Sequence, residues 1–425
     1  MARLERSLSL IEVTLMSVGI ILGAGIYVLI GAASGLSGNG LWLSFIIAAV
    51  IASFTGLSYA ELSSRFPEAG AEYVYIEKSF GKKLAWLIGW LIIAGTIIGA
   101  ATVALGFSHY FSAIFNTPIS LVAVSLLLVC GVILIAGVKE TAFFTILFTL
   151  IETAGLVIII FIGIPYFGNV DYLELAHGME GVIKAGVLIF FGYIGFESIT
   201  RLADETRNPD KNIPKAIILS IVLTTIIYIL VGISAVSVVS WEKLSTSSAP
   251  LSIVAEEVFG GYSFLILSGI ALFSTFNTVL VMLLSGSRII YGIADEKVLP
   301  SFFTRVWNKT NTPWVAIAVS VFVAILFLGL GELEIVANLT NFTIFVTFFV
   351  VNCAVIYLRF KKPDRRKNKG FTVPFSIKKV PVIPVLGAVS SVFMISNLSL
   401  QVLFLGITLI LIGFVMYYLV VKKLK

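Results

Sequence analysis

Two glutamates stand well inside apolar runs: Glu152, three residues after Thr149, and Glu197, directly after Phe190-Phe191-Gly192-Tyr193-Ile194-Gly195-Phe196. A charged side chain at the centre of a membrane helix costs ~2.5–3.5 kcal/mol on insertion scales, so an intramembrane carboxyl has either chemistry to do or a partner that holds it. A carboxyl taken out of water can pick up and release a proton during a transport cycle. It can also act as a protonated clamp, hydrogen-bonded to the backbone of an interrupted helix. Glu152 and Glu197 are each read as a coupling group or such a structural clamp.

The same runs hold glycines at spacings that interrupt helices. The first run contains Gly19, Gly23, Ala24, Gly25, Ile26 and Tyr27; the sixth contains Gly192 and Gly195 just before Glu197. Backbone polar groups in lipid must be satisfied internally, so a broken helix has to face protein or a water-filled cavity. Glycine lowers the cost of leaving helical geometry and lets a ligand approach the backbone. Helix packing accounts for either segment alone, since Gly19 and Gly23 form a Gly-x-x-x-Gly face. Together they say more. If spans one to five and six to ten are two repeats, the interrupted spans are equivalent, the arrangement of a mid-membrane site in inverted-repeat transporters. The N–H groups freed around Gly23–Gly25 suit a carboxylate.

These residues require a membrane around them. The 425-residue chain is 59 % apolar and 12 % charged, against about a quarter charged in soluble proteins, which excludes water-soluble classes. A spanning helix needs ~20 apolar residues. Twelve such runs can be placed, at 8–33, 41–63, 84–111, 118–138, 141–167, 181–202, 214–239, 261–294, 313–330, 336–358, 380–398 and 400–421. The first follows Arg3 and Arg6 but is too long for the apolar part of a signal peptide, and is read as retained.

Charge placement orients the chain. With the N-terminus inside, all but Lys184 and Lys243 of the 29 Lys and Arg fall on the cytoplasmic side. Lys139 and Glu140 are the only charges between spans four and five, and nine basic residues crowd positions 359–379. The outer loops hold Asp171, Glu174, Glu180, Glu242, Glu256, Glu257, Glu332 and Glu334. This sorting explains the net charge of +6 without nucleic acid. The loops at 168–180 and 240–260 are too short to fold as domains. His109 and His177 are too few and too far apart for a metal site, Cys130 and Cys353 imply no disulfide framework, and no cofactor is implied. Neither His-Glu-x-x-His nor Gly-x-Ser-x-Gly is present, which argues against an intramembrane enzyme.

At these residues the chain resembles the amino acid–polyamine–organocation (APC) superfamily of transporters, from about Ser7 to the last span. Gly23–Tyr27 resembles its first-helix unwound motif. Tyr59-Ala60-Glu61-Leu62, then Arg65-Phe66-Pro67-Glu68-Ala69-Gly70 with Tyr73 and Tyr75, resembles the segment after its second helix. The stretch from Phe191 to Glu197, with Glu205, Asn208-Pro209 and Ile213-Pro214-Lys215-Ala216, is similar to its sixth helix and following loop. Ser287-Arg288, Tyr291, Ala294 and Leu299-Pro300 resemble the end of its eighth helix.

The resemblance implies an all-α polytopic membrane protein with twelve transmembrane helices. Its five-plus-five inverted-repeat core, with broken first and sixth helices, comprises residues 1–167 and 168–360; the basic cytoplasmic loop and two peripheral spans fill 361–425. It implies an amino acid at the midplane. The carboxylate would meet amides at Gly23, Ala24 and Gly25, and the ammonium would meet carbonyls near Phe190, Phe191, Gly192 and Tyr193, with Gly195 at the break and Phe191 as an aromatic gate. Some family members carry a lysine in the fifth helix where sodium sits in related transporters; Glu152 occupies or neighbours that position. A glutamate there can titrate, or help hold a cation with Ser274 and Thr275 of the eighth span. The expected function is a multi-pass permease of the cell membrane, both termini cytoplasmic, moving amino acids by proton symport, with Na+ the other candidate coupling ion. An exchanger, or a nontransporting sensor on the same scaffold, is the alternative.

Overall fold

A computed structural model describes residues 8–67, 71–137, 142–203, 205–295, 299–307, 309–310, 312–361 and 370–421. Arg3, Arg6, Ser7, Glu68, Ala69, Gly70, Lys139, Glu140 and the basic residues between positions 362 and 369 lie outside them. The described chain is almost wholly helical, as a backbone surrounded by apolar side chains must be to satisfy its own hydrogen bonds.

The first half consists of α1 (Leu10–Ser37), α2 (Leu41–Arg65), α3 (Ala71–Phe80), α4 (Lys82–Phe115), α5 (Ile119–Ala136) and α6 (Ala142–Gly163). Next come α7 (Gly178–Ile189), two 3₁₀ segments at Phe190–Tyr193 and Phe196–Leu202, and α8 (Pro209–Val238). Then follow α9 (Trp241–Thr246), α10 (Pro250–Phe259), α11 (Gly261–Asp295), α12 (Trp314–Leu328) and α13 (Leu333–Lys361). A two-residue hairpin, β1 (Ser376–Ile377) with β2 (Val380–Pro381), precedes α14 (Val382–Ser396) and α15 (Leu400–Met416).

Each of the twelve apolar runs is mainly helical over its described residues. Among the described residues, nine helical stretches are long and apolar enough to cross a membrane, the first running through both α1 and α2. The helices α12 and α14 are apolar but shorter. Large apolar side chains face outward, such as Val132 of α5 and Phe404 of α15, which suits a lipid solvent. Three helices fall outside the runs: α3 after the second span, and α9 and α10 within 240–260, where α9 packs on α1 and α10 on α11. They are too short or too polar to register as apolar runs.

Local signals set several ends. Ser9 and Glu12 cap α1 reciprocally: the Ser9 N–H donates to Glu12 Oε2 at 2.7 Å and the Glu12 N–H to Ser9 Oγ at 3.4 Å. The chain before this cap pairs with the loop after the sixth run, where the Leu8 N–H donates to the Glu205 carbonyl (3.0 Å) and the Arg207 N–H to the Leu8 carbonyl (2.9 Å). The helix α8 begins five residues before its apolar run because Pro209 presets the first-turn geometry.

Packing places α1 at the centre, against α6, α7, α8, α9 and α11. The helix α2 lies on α8, α4 on α11 and α13, and α5 on α12. At one end Arg359 of α13 forms a buried ion pair with Glu61 of α2; its Nε donates to Glu61 Oε1 at 3.0 Å and its Nη2 to Glu61 Oε2 and to the Val373 carbonyl. The Val373 N–H donates to Glu61 Oε2 at 2.9 Å, so the pair pins the segment leading to β1 as well. Arg359, expected from sequence to serve as a topology charge, has a structural partner here.

Candidate functional site

The two glycine-rich breaks meet. In α1, Gly23 leaves helical geometry at φ −21° and ψ −156°. At the second break α7 ends at Ile189, residues 190–193 make one 3₁₀ turn, Ile194 is extended and Gly195 takes φ +128°. A methyl built on Gly25 would lie 2.7 Å from Gly192 Cα, and one on Gly195 would lie 2.5 Å from Ile20 Cγ2. The breaks therefore cross backbone to backbone, an approach open only to glycine.

Side chains from three other helices serve the backbone groups around this crossing. The Ala24 N–H donates to Thr278 Oγ1 of α11 at 3.2 Å, and the Thr278 hydroxyl donates to the Ser274 carbonyl at 2.9 Å. The Tyr228 hydroxyl of α8 reaches the carbonyls of Ile21 (2.7 Å) and Gly192 (2.9 Å). Asn341 of α13 donates to the carbonyls of Val187 (2.8 Å) and Leu188 (3.2 Å) near the end of α7, where a helix leaves carbonyls without partners.

A cavity lies on each side of the crossing. One, of about 280 Å³, is lined by Gly19, Ile20, Thr96, Thr340, Thr347 and Phe348 together with Glu72, Glu152, Glu197, Asn277 and Thr278. The other, of about 350 Å³, is lined by residues near Val28–Ala32, Gly106–Tyr110 and Leu333–Glu334, with Ser245, Ser247, Ser248 and Pro250. Along α1, α4 and α13 the two sets fall at opposite ends, so they are separate chambers with the crossing between them. The first chamber has three carboxyls and, among its described lining residues, no basic side chain.

The three acids are held differently. Glu197 spends Oε2 on the Gly195 N–H at 2.9 Å, and its carbonyl accepts from the Thr200 hydroxyl at 2.6 Å; this is the geometry of a clamp on the broken helix. Glu72 of α3 accepts from the Tyr59 hydroxyl at 3.2 Å. Glu152 is only 2 % exposed, and Ser274 and Asn277 lie beside its carboxyl. Yet among the described residues neither Glu152 Oε1 nor Ser274 Oγ has a hydrogen-bond partner. The backbone carbonyl of Glu152 is occupied, by the Tyr27 hydroxyl at 2.8 Å, for which Gly155 leaves room.

Of the residues singled out from sequence, Glu152, Glu197 and Gly195 line the first chamber. Gly23, Ala24, Gly25, Phe190, Phe191, Gly192 and Tyr193 are buried in the layer that closes it. Phe191 lies against Gly25, and Phe190 packs on Phe345 with ring centroids 4.8 Å apart. Ser274 stands beside Glu152, whereas the Thr275 hydroxyl turns back onto its own helix, to the Ala271 carbonyl at 2.7 Å.

Sequence reading missed Tyr228, Thr278, Asn277, Asn341 and Glu72. Thr278 and Asn277 follow Ser274 within one helical turn, a polar face that the period of α11 could have disclosed. Tyr228 and Asn341 are single polar residues in apolar runs and carry no such pattern.

Comparison with known proteins gives the family. The chain matches the family described as amino acid permease over residues 8–421. It is 28 % identical to the branched-chain amino acid permease BcaP of Bacillus subtilis, over 99 % of this chain and 94 % of that one. It is 30 % identical to the methylthioribose transporter of the same organism, with the same coverage. To human cationic amino acid transporter 4 it is 30 % identical over 86 % of this chain and 62 % of that longer protein. With its apolar helices, its paired breaks and a match spanning nearly its whole length, the chain is a multi-pass membrane protein that belongs to the amino acid permease family.

Proposed function

We propose that the protein is a secondary amino acid transporter of the cell membrane, working by alternating access and driven by proton symport. The observation that carries this reading is the closed crossing of two broken helices between two separate chambers. Alternating access needs one site that is opened first to one side and then to the other.

On this reading the chain crosses the bilayer twelve times with both termini in the cytoplasm, and the chamber holding Glu72, Glu152 and Glu197 faces inward. Packing supports two five-span repeats: α1 lies on α7, α2 on α8, α4 on α11 and α5 on α12, so four of the first five spans meet their counterparts five spans later. The substrate carboxylate takes the amides at Gly23, Ala24 and Gly25, the ammonium takes carbonyls near Phe190–Tyr193, and Phe191 gates the site. Glu152 is the coupling group, because its carboxyl is buried beside Ser274 and Asn277 with Oε1 lacking a hydrogen-bond partner among the described residues. Glu197, bonded to Gly195, acts as the clamp.

The test is reconstitution of the full chain in liposomes with a panel of leucine, alanine, lysine and glutamate. Uptake is measured with a proton gradient, with sodium, or with internal amino acid alone. Saturable uptake that needs the proton gradient is the expected result. Binding without flux would identify a sensor, nonsaturating ion current a channel, and equal uptake under all three drives would defeat proton coupling.

A further inference from the structure

Two of the backbone groups proposed to hold the substrate, the Ala24 N–H and the Gly192 carbonyl, already have side-chain partners, and both partners are hydroxyls. Thr278 Oγ1 takes the Ala24 N–H, where a carboxylate oxygen would sit. The Tyr228 hydroxyl stands between the carbonyls of Ile21 and Gly192, one from each broken helix, where an ammonium would sit. Its one proton can serve only one of those carbonyls at a time. An ammonium brings three donors and can serve both. Tyr228 is fully buried, held by Phe45 and Tyr193 at ring-centroid distances of 5.4 and 5.3 Å. A closed site without substrate would otherwise strand these amide and carbonyl groups away from water, at the cost of unmade hydrogen bonds.

We infer that Tyr228 and Thr278 are stand-ins for the two charged ends of the substrate, Tyr228 for the ammonium and Thr278 for the carboxylate, and that substrate binding displaces both. They are positioning residues that let the empty carrier close. The inference rests on the amino acid reading above.

Removing a stand-in destabilises the empty closed site and so tightens the ligand that replaces it. The experiment measures equilibrium binding to purified full-length protein for leucine, for isocaproate (no amino group) and for isoamylamine (no carboxyl). Lysine, ε-aminocaproate and cadaverine form a parallel set. Tyr228→Phe keeps the ring and is expected to tighten leucine and isoamylamine about three- to tenfold, the scale of one net hydrogen bond, leaving isocaproate unchanged. Thr278→Val is expected to tighten leucine and isocaproate and leave isoamylamine unchanged. Binding constants do not depend on how much of a variant folds, so a low yield does not blunt the comparison. A role confined to packing would shift all three ligands together; that result, no shift, or weaker leucine binding overturns the inference. If wild-type protein binds neither leucine nor lysine, the amino acid reading itself fails.

Discussion

At the scale of single residues, the site is made by what glycine lacks and what Glu152 leaves unbonded. Gly25→Ala would drive a methyl into the Gly192 backbone, and it is expected to abolish uptake and to lower stability by about 1–3 kcal/mol, the usual cost of overpacking. The comparison is Gly269→Ala, which meets nothing within 4 Å and should leave uptake and melting temperature unchanged. Glu152→Gln keeps the shape but cannot exchange a proton; gradient-driven accumulation is expected to vanish while exchange against internal amino acid persists. Full gradient-driven uptake by this variant would remove Glu152 from the coupling role. Both glycine breaks and both membrane glutamates were legible in the sequence, because charge and glycine are rare enough in apolar runs to stand out. Tyr228 and Thr278 were not, since a hydroxyl in such a run usually bonds its own helix, as Thr275 does. Their partners lie far away in the sequence, and only the fold brings them together.

At the scale of elements, hydrophobic length located the runs but not the pieces that join them. The short helices α3, α9 and α10 have no long apolar face to announce them, and α3 nonetheless delivers Glu72 to the first chamber. The ion pair of Glu61 and Arg359 shows the same limit. Each residue is readable alone, as part of a motif and as a topology charge, but their pairing across α2 and α13 is a tertiary fact. Arg359→Ala strands a buried carboxylate and is expected to cost up to ~3–5 kcal/mol. Adding Glu61→Ala is expected to restore part of that loss, because the two residues are in contact and their effects are not additive. Thermal unfolding of the two variants in detergent checks this; a double variant less stable than Arg359→Ala would show that the pair is not a closed unit.

At the scale of the whole molecule, the proposed orientation rests on charge and is open to direct labelling. In a background lacking Cys130 and Cys353, a cysteine at Glu332 is expected to react with an impermeant maleimide in intact cells, and one at Lys378 only after permeabilisation. The reverse pattern would turn the proposed topology over. The chain is also less divisible than its two-repeat reading suggests, because α1 and α2 find many of their neighbours in α7 and α8. The pairing of Leu8 with the stretch from Glu205 to Arg207 carries this to the order of synthesis. The stretch around Leu8 has to wait for the sixth run, made far later, before its backbone is satisfied, a closure across nearly half the chain. A fragment of residues 1–167 made alone is therefore expected to stay open to protease around Leu8, and supplying 168–425 in the same cell to protect it. The stretch around Leu8 would become native only once the sixth run and the loop after it are made.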